Sequence, residues 1–397
     1  MTKVQGIKLK NKGKIYLYED IFMLKALRTP FGRFQGSYSN ISATDLGVFV
    51  TRSLIESSGL NSKDIDQLIF ASTIPSSTDS IFLPRHIALK SGLEVETPAS
   101  MVQRICASGM ESIIIAANDI AIGCSDTIIA GGTENMTRAP LASFEIRNGF
   151  HLGAKPFSDL LWEGLNDTYC SSTMGQTAEN LAEKYSITRE DADLFAFESH
   201  SRAIKARNEG VYNDQICNFT IIKEDETIRK NVSMEKLSNL KPVFSKNGVQ
   251  TAGNSSLIAD GAAAVIVTST NKGINPAGKI VAASITAGSP DIMGITPVST
   301  IKNLLQVTGL NISDISLWEI NEAFAAQYIA VEKQLQLDRS KVNVNGGSIA
   351  IGHPLAATGI RIVSTLLYEL KKRNLKYGIA SACVGGGQGT AILVESL

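Results

Sequence analysis

The chain has 397 residues, 44 % of them hydrophobic and 19 % charged, with a formal net charge of zero. That length suggests two or three domain-sized units around a large core. The balanced charge excludes nucleic acid and an anionic membrane as bulk partners, while a local basic cluster can still meet a phosphate-bearing ligand.

The N-terminus is Lys-rich from Lys3 to Lys14, and no apolar stretch of the kind found in a secretory signal follows it. It is poor in arginine, which gives little support to a mitochondrial presequence. Beyond it the chain alternates helix and strand. Strands are predicted at Gln67–Ser72, Asp126–Ala130, Ala263–Thr268, Lys279–Ser284, Lys341–Val344 and Gly378–Ala382. The most apolar helix, around Ile113 to Ile122, is interrupted by Asn118 and Asp119, so no segment reads as a membrane span.

An internal echo recurs at an offset of about 250 residues. Gly59-Leu60-Asn61 with Asp64-Ile65 returns as Gly309-Leu310-Asn311 with Asp314-Ile315. Ala107-Ser108-Gly109 returns as Ala357-Thr358-Gly359, each opening a helix, and Ile129-Ala130 returns as Ile379-Ala380. Three matches in one register predict two copies of one αβ layout, and hence a layered α/β/α/β/α body. The register breaks after about residue 132, which places an insertion at roughly 133–250. Its clearest element is a helix from Arg189 to about Asn208. It reads either as a lid or as an ordinary connecting subdomain. The predicted division is 1–275, carrying the insertion, and 276–397.

Five cysteines, at 106, 124, 170, 217 and 383, form no pair at metal-ligand spacing and leave an odd count. A reducing compartment fits them better than a disulfide scaffold. Cys106 follows an extended segment, Val102-Gln103-Arg104-Ile105, and precedes a helix. A helix N-terminus favours a thiolate; the alternative is a buried, inert cysteine. His353 lies in Asn345-Gly346-Gly347-Ser348-Ile349-Ala350-Ile351-Gly352-His353-Pro354, where glycines and a proline aim the imidazole at the mouth of a helix. Cys383-Val384-Gly385-Gly386-Gly387-Gln388-Gly389 follows a strand and frees N–H groups for an oxyanion; it reads equally as a tight turn. Asn321, in Asn321-Glu322-Ala323-Phe324, would cap a helix or orient a water. Thr251-Ala252-Gly253-Asn254-Ser255-Ser256 suits a pocket wall or a plain loop.

These five segments, in this order and at these separations, resemble the thiolase family. Ala130-Gly131-Gly132-Thr133-Glu134-Asn135-Met136 and Met174-Gly175-Gln176-Thr177-Ala178-Glu179 add to the resemblance, which runs from Arg28-Thr29-Pro30-Phe31-Gly32 to the last strand. It implies an acyltransferase of fatty acid metabolism that acts on coenzyme A thioesters, with Cys106 as nucleophile, His353 as its base and Cys383 moving a proton at the α-carbon. It further implies that the N–H groups of Cys106 and Gly385 form one oxyanion hole, and that His353 with a water held by Asn321 forms another. Ala252 and Ser256 would line the pantetheine channel, Met174 and Met293 the acyl pocket, and the insertion would cover coenzyme A. No metal or other cofactor is expected, and no nucleic acid or membrane partner. A cytoplasmic homodimer or homotetramer is expected, with the Cys106 segment near the interface. Thr173, Leu257, Ala259 and Ala356 depart from the family pattern, and the first three lean away from a strict acetoacetyl-CoA specialist. The alternatives are a ketoacyl-synthase-like condensing enzyme and a non-catalytic acyl-CoA-binding protein.

Overall fold

The structure is a computed structural model. It describes all residues except 1, 2, 145, 146, 148, 150, 151, 154–156, 219, 220, 271 and 272. The local echo has a local cause. Each copy ends a helix on a left-handed glycine, Gly59 (φ 80°) or Gly309 (φ 72°). Each then starts a short 3-10 turn with a reciprocal capping box, Asn61 with Asp64 and Asn311 with Asp314.

The strands repeat the same order twice. In the first half Phe22–Arg28 pairs antiparallel with Ala259–Thr268, which pairs antiparallel with Thr127–Asn135. Gln67–Ala71 and then Ala99–Val102 follow in parallel. In the second half Gly278–Ala287, Gln388–Ser396 and Tyr377–Val384 pair antiparallel, and Leu317–Ile320 follows in parallel. The two half-sheets touch at Met23–Gly278 and Phe22–Lys279, where the ladder runs on from one to the other. The first half-sheet takes in residues on both sides of the inserted stretch, and the strand Thr127–Asn135 runs past residue 133 before that stretch begins.

One predicted strand is absent. Lys341–Val344 forms a turn at Arg339–Lys341 and a single parallel bridge between Val342 and Trp318. Asn343 turns away at φ 45°. Its side chain continues the pairing instead: Oδ1 accepts the Ile320 N–H at 2.9 Å and Nδ2 donates to the Ile320 carbonyl at 2.9 Å. An amide carries one donor side and one acceptor side, so it imitates a peptide unit.

The helices Ser108–Ala121 and Leu355–Lys372 pack against each other and against the strand Thr127–Asn135. Their contact is possible only without side chains. A Cβ on Gly109 would lie 2.6 Å from the Ala356 carbonyl oxygen, and one on Gly132 only 1.9 Å from it. A Cβ on Gly359 would lie 2.3 Å from the Met110 nitrogen. The glycines of the echo therefore sit where the two copies meet, and this contact brings the ends of both halves to one place. The Lys-rich N-terminus forms a hairpin, Val4–Lys8 with Lys14–Tyr18, whose second strand extends the pairing of Gly278–Ala287. The helix Arg189–Asn208 forms as expected, with Thr188 and Asp191 as its capping box.

Candidate active site

Cys106 stands on a forced bend. After the strand Ala99–Val102, Ile105 adopts φ 42°, a left-handed conformation that β-branched residues rarely take. Several bonds hold it there. The Arg104 N–H donates to Ser108 Oγ at 2.8 Å, and that hydroxyl donates to the Ile105 carbonyl at 2.7 Å. The Arg104 guanidinium forks onto Glu111 at 2.7 and 2.9 Å and reaches Gln388 Oε1 at 2.7 Å. Cys106 thus lies in the short turn Ile105–Ala107, ahead of the helix proper.

The expectation of a ready thiolate does not hold. Burial pushes the Cys106 thiol up to about 11. The backbone N–H groups of Gly385 and of Cys106 itself are directed at the sulfur and oppose this only in part. Cys106 is therefore a thiol at neutral pH, because desolvation of a charge outweighs two hydrogen bonds here. Cys383 is fully buried on the strand Tyr377–Val384, and its thiol is pushed up by burial and by the neighbouring Cys106. The loop beyond it turns on Gly386 and Gly387, both at φ 79°, so it is a tight turn and also the support of the Gly385 N–H.

His353 meets these groups from the Gly-rich loop. Its N–H donates to the Leu257 carbonyl at 2.9 Å, and Pro354 is the N-cap of the helix Leu355–Lys372. Nδ1 is 2.7 Å from Thr358 Oγ1, and Nε2 is 3.3 Å from Asn321 Nδ2. Burial, with Arg361 nearby, holds the imidazole down to about 3, so it is neutral. Asn321 caps no helix: the following helix starts at Ala325, and the Asn321 amide lies directly on the imidazole. The other described histidines, His86 and His200, lie elsewhere: His86 beside Asp79, and His200 on the helix Arg189–Asn208.

Sequence reasoning quoted Glu134 without giving it a role. It is fully buried, and its carboxylate accepts the N–H groups of Thr73, Ile74 and Ala356. Burial still pushes it up to about 7. It ties the loop after the strand Gln67–Ala71 to the helix after His353. Ser348, Arg361 and Glu319 were also passed over, although Arg361 is the one charge within the apolar run Leu355–Leu367.

A cavity of about 390 Å³ opens over His353, walled by Met136, Leu161, Met174, Leu257 and Phe324 among others. Cys106 packs with Met136, Leu161 and Leu355 against this wall. A second cavity of about 490 Å³ adjoins it, sharing Ser255, Ser256 and Leu257, and is bounded by Arg33 and Arg229. Ala252 lines the second cavity and Ser256 lines both. Met293 is buried behind Met174, packed with Phe324 and Cys383, and lines neither. Thr173 caps the helix Met174–Lys184 in a box with Gln176. Among the described residues no cluster of side chains is arranged to hold a metal ion, and no helix is long and apolar enough to cross a membrane.

A duplicated αβ body with two cysteines, a neutral imidazole and two converging N–H groups defines an acyltransferase. Its first 250 or so residues match the family model for the thiolase N-terminal domain at 21–271, and the remainder matches the thiolase C-terminal domain at 274–396. The chain is 41 % identical over 393 residues to the mitochondrial 3-ketoacyl-CoA thiolase of Bos taurus, covering 96 % of this chain and 99 % of that one. It superposes with a TM-score of 0.92 on the crystal structure of human mitochondrial 3-ketoacyl-CoA thiolase in complex with CoA, at 40 % identity, covering 95 % and 98 % of the two chains. For the Bacillus anthracis acetyl-CoA acetyltransferase the TM-score is 0.93 at 41 % identity, covering 96 % and 100 %. The chain belongs to the thiolase family, and its activity is that of an acyl-CoA thiolase.

Proposed function

We propose that this thiolase transfers its acyl group through Cys106, and the observation that carries this reading is its place on a forced bend, packed against the wall of the cavity over His353, with the N–H groups of Cys106 and Gly385 close to its sulfur. The Cys106 thiol gives its proton to His353 Nε2 as the sulfur attacks the thioester carbonyl. Those two N–H groups then hold the oxyanion, and the coenzyme A thiolate leaves with the proton of the Cys383 thiol, so that Cys383 becomes a thiolate while His353 keeps its Nε2–H. In the second half-reaction the Cys383 thiolate takes the α-proton of acetyl-CoA, the resulting carbanion attacks the Cys106 thioester, and Cys106 leaves with the proton from His353. In reverse, coenzyme A cleaves a 3-ketoacyl-CoA. His353 and Asn321 stabilise the enolate oxygen of the second substrate. No cofactor enters either half-reaction.

Coenzyme A is proposed to run through the two adjoining cavities, its pantetheine past Ala252 and Ser256 and its phosphates toward Arg33 and Arg229. The human relative, solved in complex with CoA, supports this. A third cavity, of about 430 Å³, reaches Ile105, Met174 and Gly385 from the other side, walled by Ile74, Pro75 and Leu160 on one part and by Glu163, Asn166 and Asp167 on another. It supports a preference for acyl groups longer than acetoacetyl. Thiolysis of 3-ketoacyl-CoAs of graded length tests both points. Turnover should peak beyond four carbons and vanish in Cys106→Ala. A Cys106→Ala enzyme with full turnover would sink the mechanism, and a maximum at acetoacetyl-CoA would sink the length preference.

A homodimer is proposed through the free edge of Ala99–Val102, where Met101 is 45 % exposed beside Ile81 at 81 % and Phe82 at 59 %. An unpaired strand edge beside apolar surface favours a second copy. The five free thiols support a reducing compartment, and the cytoplasm is the one proposed. Fractionation decides between it and the mitochondrion, to which the similarity to mitochondrial 3-ketoacyl-CoA thiolases points.

A further inference from the structure

A line of buried hydrogen bonds leads away from His353 and reads in only one direction. At its far end Arg361, 2 % exposed, pairs with Glu319 at 3.2 Å and donates through Nη2 to Ser348 Oγ at 3.0 Å. A guanidinium has no acceptor, so Ser348 Oγ must accept there. Its single hydrogen is then free for one partner, Asn321 Oδ1, at 2.6 Å. With that hydrogen given to Oδ1, the Asn321 carboxamide shows oxygen to Ser348 and nitrogen to His353. Nδ2 can only donate, so His353 Nε2 must offer its lone pair, at 3.3 Å. The proton of the neutral imidazole is left on Nδ1, facing Thr358 Oγ1 at 2.7 Å. That hydroxyl accepts it, because its own hydrogen is given to the Pro354 carbonyl at 3.0 Å. Ser348, Thr358, Asn321 and Arg361 are all buried, so water does not scramble the order.

We infer that Arg361 and Ser348 are positioning residues that set the amide orientation of Asn321 and, through it, the tautomer of His353. Their effect is to keep Nε2 free of a proton, its lone pair held by the Asn321 amide until it takes one. Glu319 holds Arg361 in place from a fully buried position, within a cluster that also includes Glu322, Glu369 and Arg202. Neither Arg361 nor Ser348 touches substrate. The inference deepens the proposed role of His353 as base for Cys106 and rests on it for its kinetic consequence. The tautomer itself is independent of that role.

The test uses the full-length protein with 15N-labelled histidine. In the wild type His353 should show a protonated Nδ1 and an unprotonated Nε2 at neutral pH. Ser348→Ala lets the Asn321 amide turn over, so His353 should move toward the Nε2–H tautomer. With that change kcat should fall about tenfold while KM stays within about twofold. Ser348→Thr keeps the hydroxyl and should restore both the tautomer and kcat. Arg361→Gln, which can accept as well as donate, should behave like Ser348→Ala. If it does not fold, the two Ser348 variants decide. A folded Ser348→Ala enzyme with the wild-type tautomer overturns the inference, as does a Ser348→Thr enzyme no better than Ser348→Ala. A shifted tautomer with unchanged kcat upholds the relay and instead counts against His353 as the base.

Discussion

Asn321 donates through Nδ2 to Nε2 of His353 at 3.3 Å, so the imidazole enters the site already held by a neutral donor. Replacing Asn321 by Asp puts an acceptor, and potentially a negative charge, against that lone pair. The imidazole should then gain a proton and lose its capacity as a base. Asn321→Asp is expected to lower kcat by at least about tenfold and to raise the pH at which His353 titrates. Steady-state kinetics with an NMR titration of His353 checks both.

The Cys106–His353 pair rests neutral. Burial pushes the thiol up to about 11 and the imidazole down to about 3, so between those values the proton stays on sulfur. The rate of Cys106 alkylation by iodoacetamide should therefore keep rising through neutral pH, by roughly one log unit per pH unit. A plateau near pH 7 would show an ion pair instead.

Glu134 links pH to stability. Its folded value, about 7, lies above the ordinary value of 4.5, so the native state binds the proton more tightly than the unfolded chain does. Its contribution is fully present below about pH 4.5 and declines as the pH rises through about 7. Glu134→Gln removes that dependence but turns an amide N–H toward a backbone N–H. It should cost about 1–3 kcal/mol at low pH and less near pH 8, as read from melting curves over that range.

Arg28 and Asp225 form a buried fork, at 2.6 and 2.8 Å, and Asp225 also accepts the Phe31 N–H at 2.7 Å. The pair fastens the inserted stretch to the strand Phe22–Arg28. Asp225→Ala leaves a guanidinium buried without its partner. Denaturant unfolding should show a loss of about 3–5 kcal/mol.

Gly132 tolerates no side chain. Its Cβ would overlap the Ala356 backbone, which is itself tied to Glu134. Gly132→Ala should cost about 3 kcal/mol or more, or prevent folding, whereas Gly6→Ala, in open space, should leave the melting temperature unchanged within error.

The duplicated body and the residues around Cys106, His353 and Cys383 are legible in the sequence because they depend on neighbours along the chain. A left-handed glycine followed by an Asn-x-x-Asp box makes the same turn wherever it occurs, so Gly59–Asp64 and Gly309–Asp314 announce one another. A strand leading into glycines exposes N–H groups whatever surrounds it. The predicted strand at Lys341–Val344 failed because the Asn343 side chain, bonded to Ile320 across 23 residues, took over the pairing.

What the sequence by itself determined was the layout and the identity of the reacting groups. Only the tertiary structure decided their states. The proton on Cys106 is set by burial, which belongs to the packed body and not to the segment. Glu134 draws its donors from 60 and 222 residues away, and Arg361 reaches His353 only through side chains gathered from three separate segments. Desolvation and the direction of a hydrogen bond depend on which groups lie within a few ångströms, and chain order does not record that.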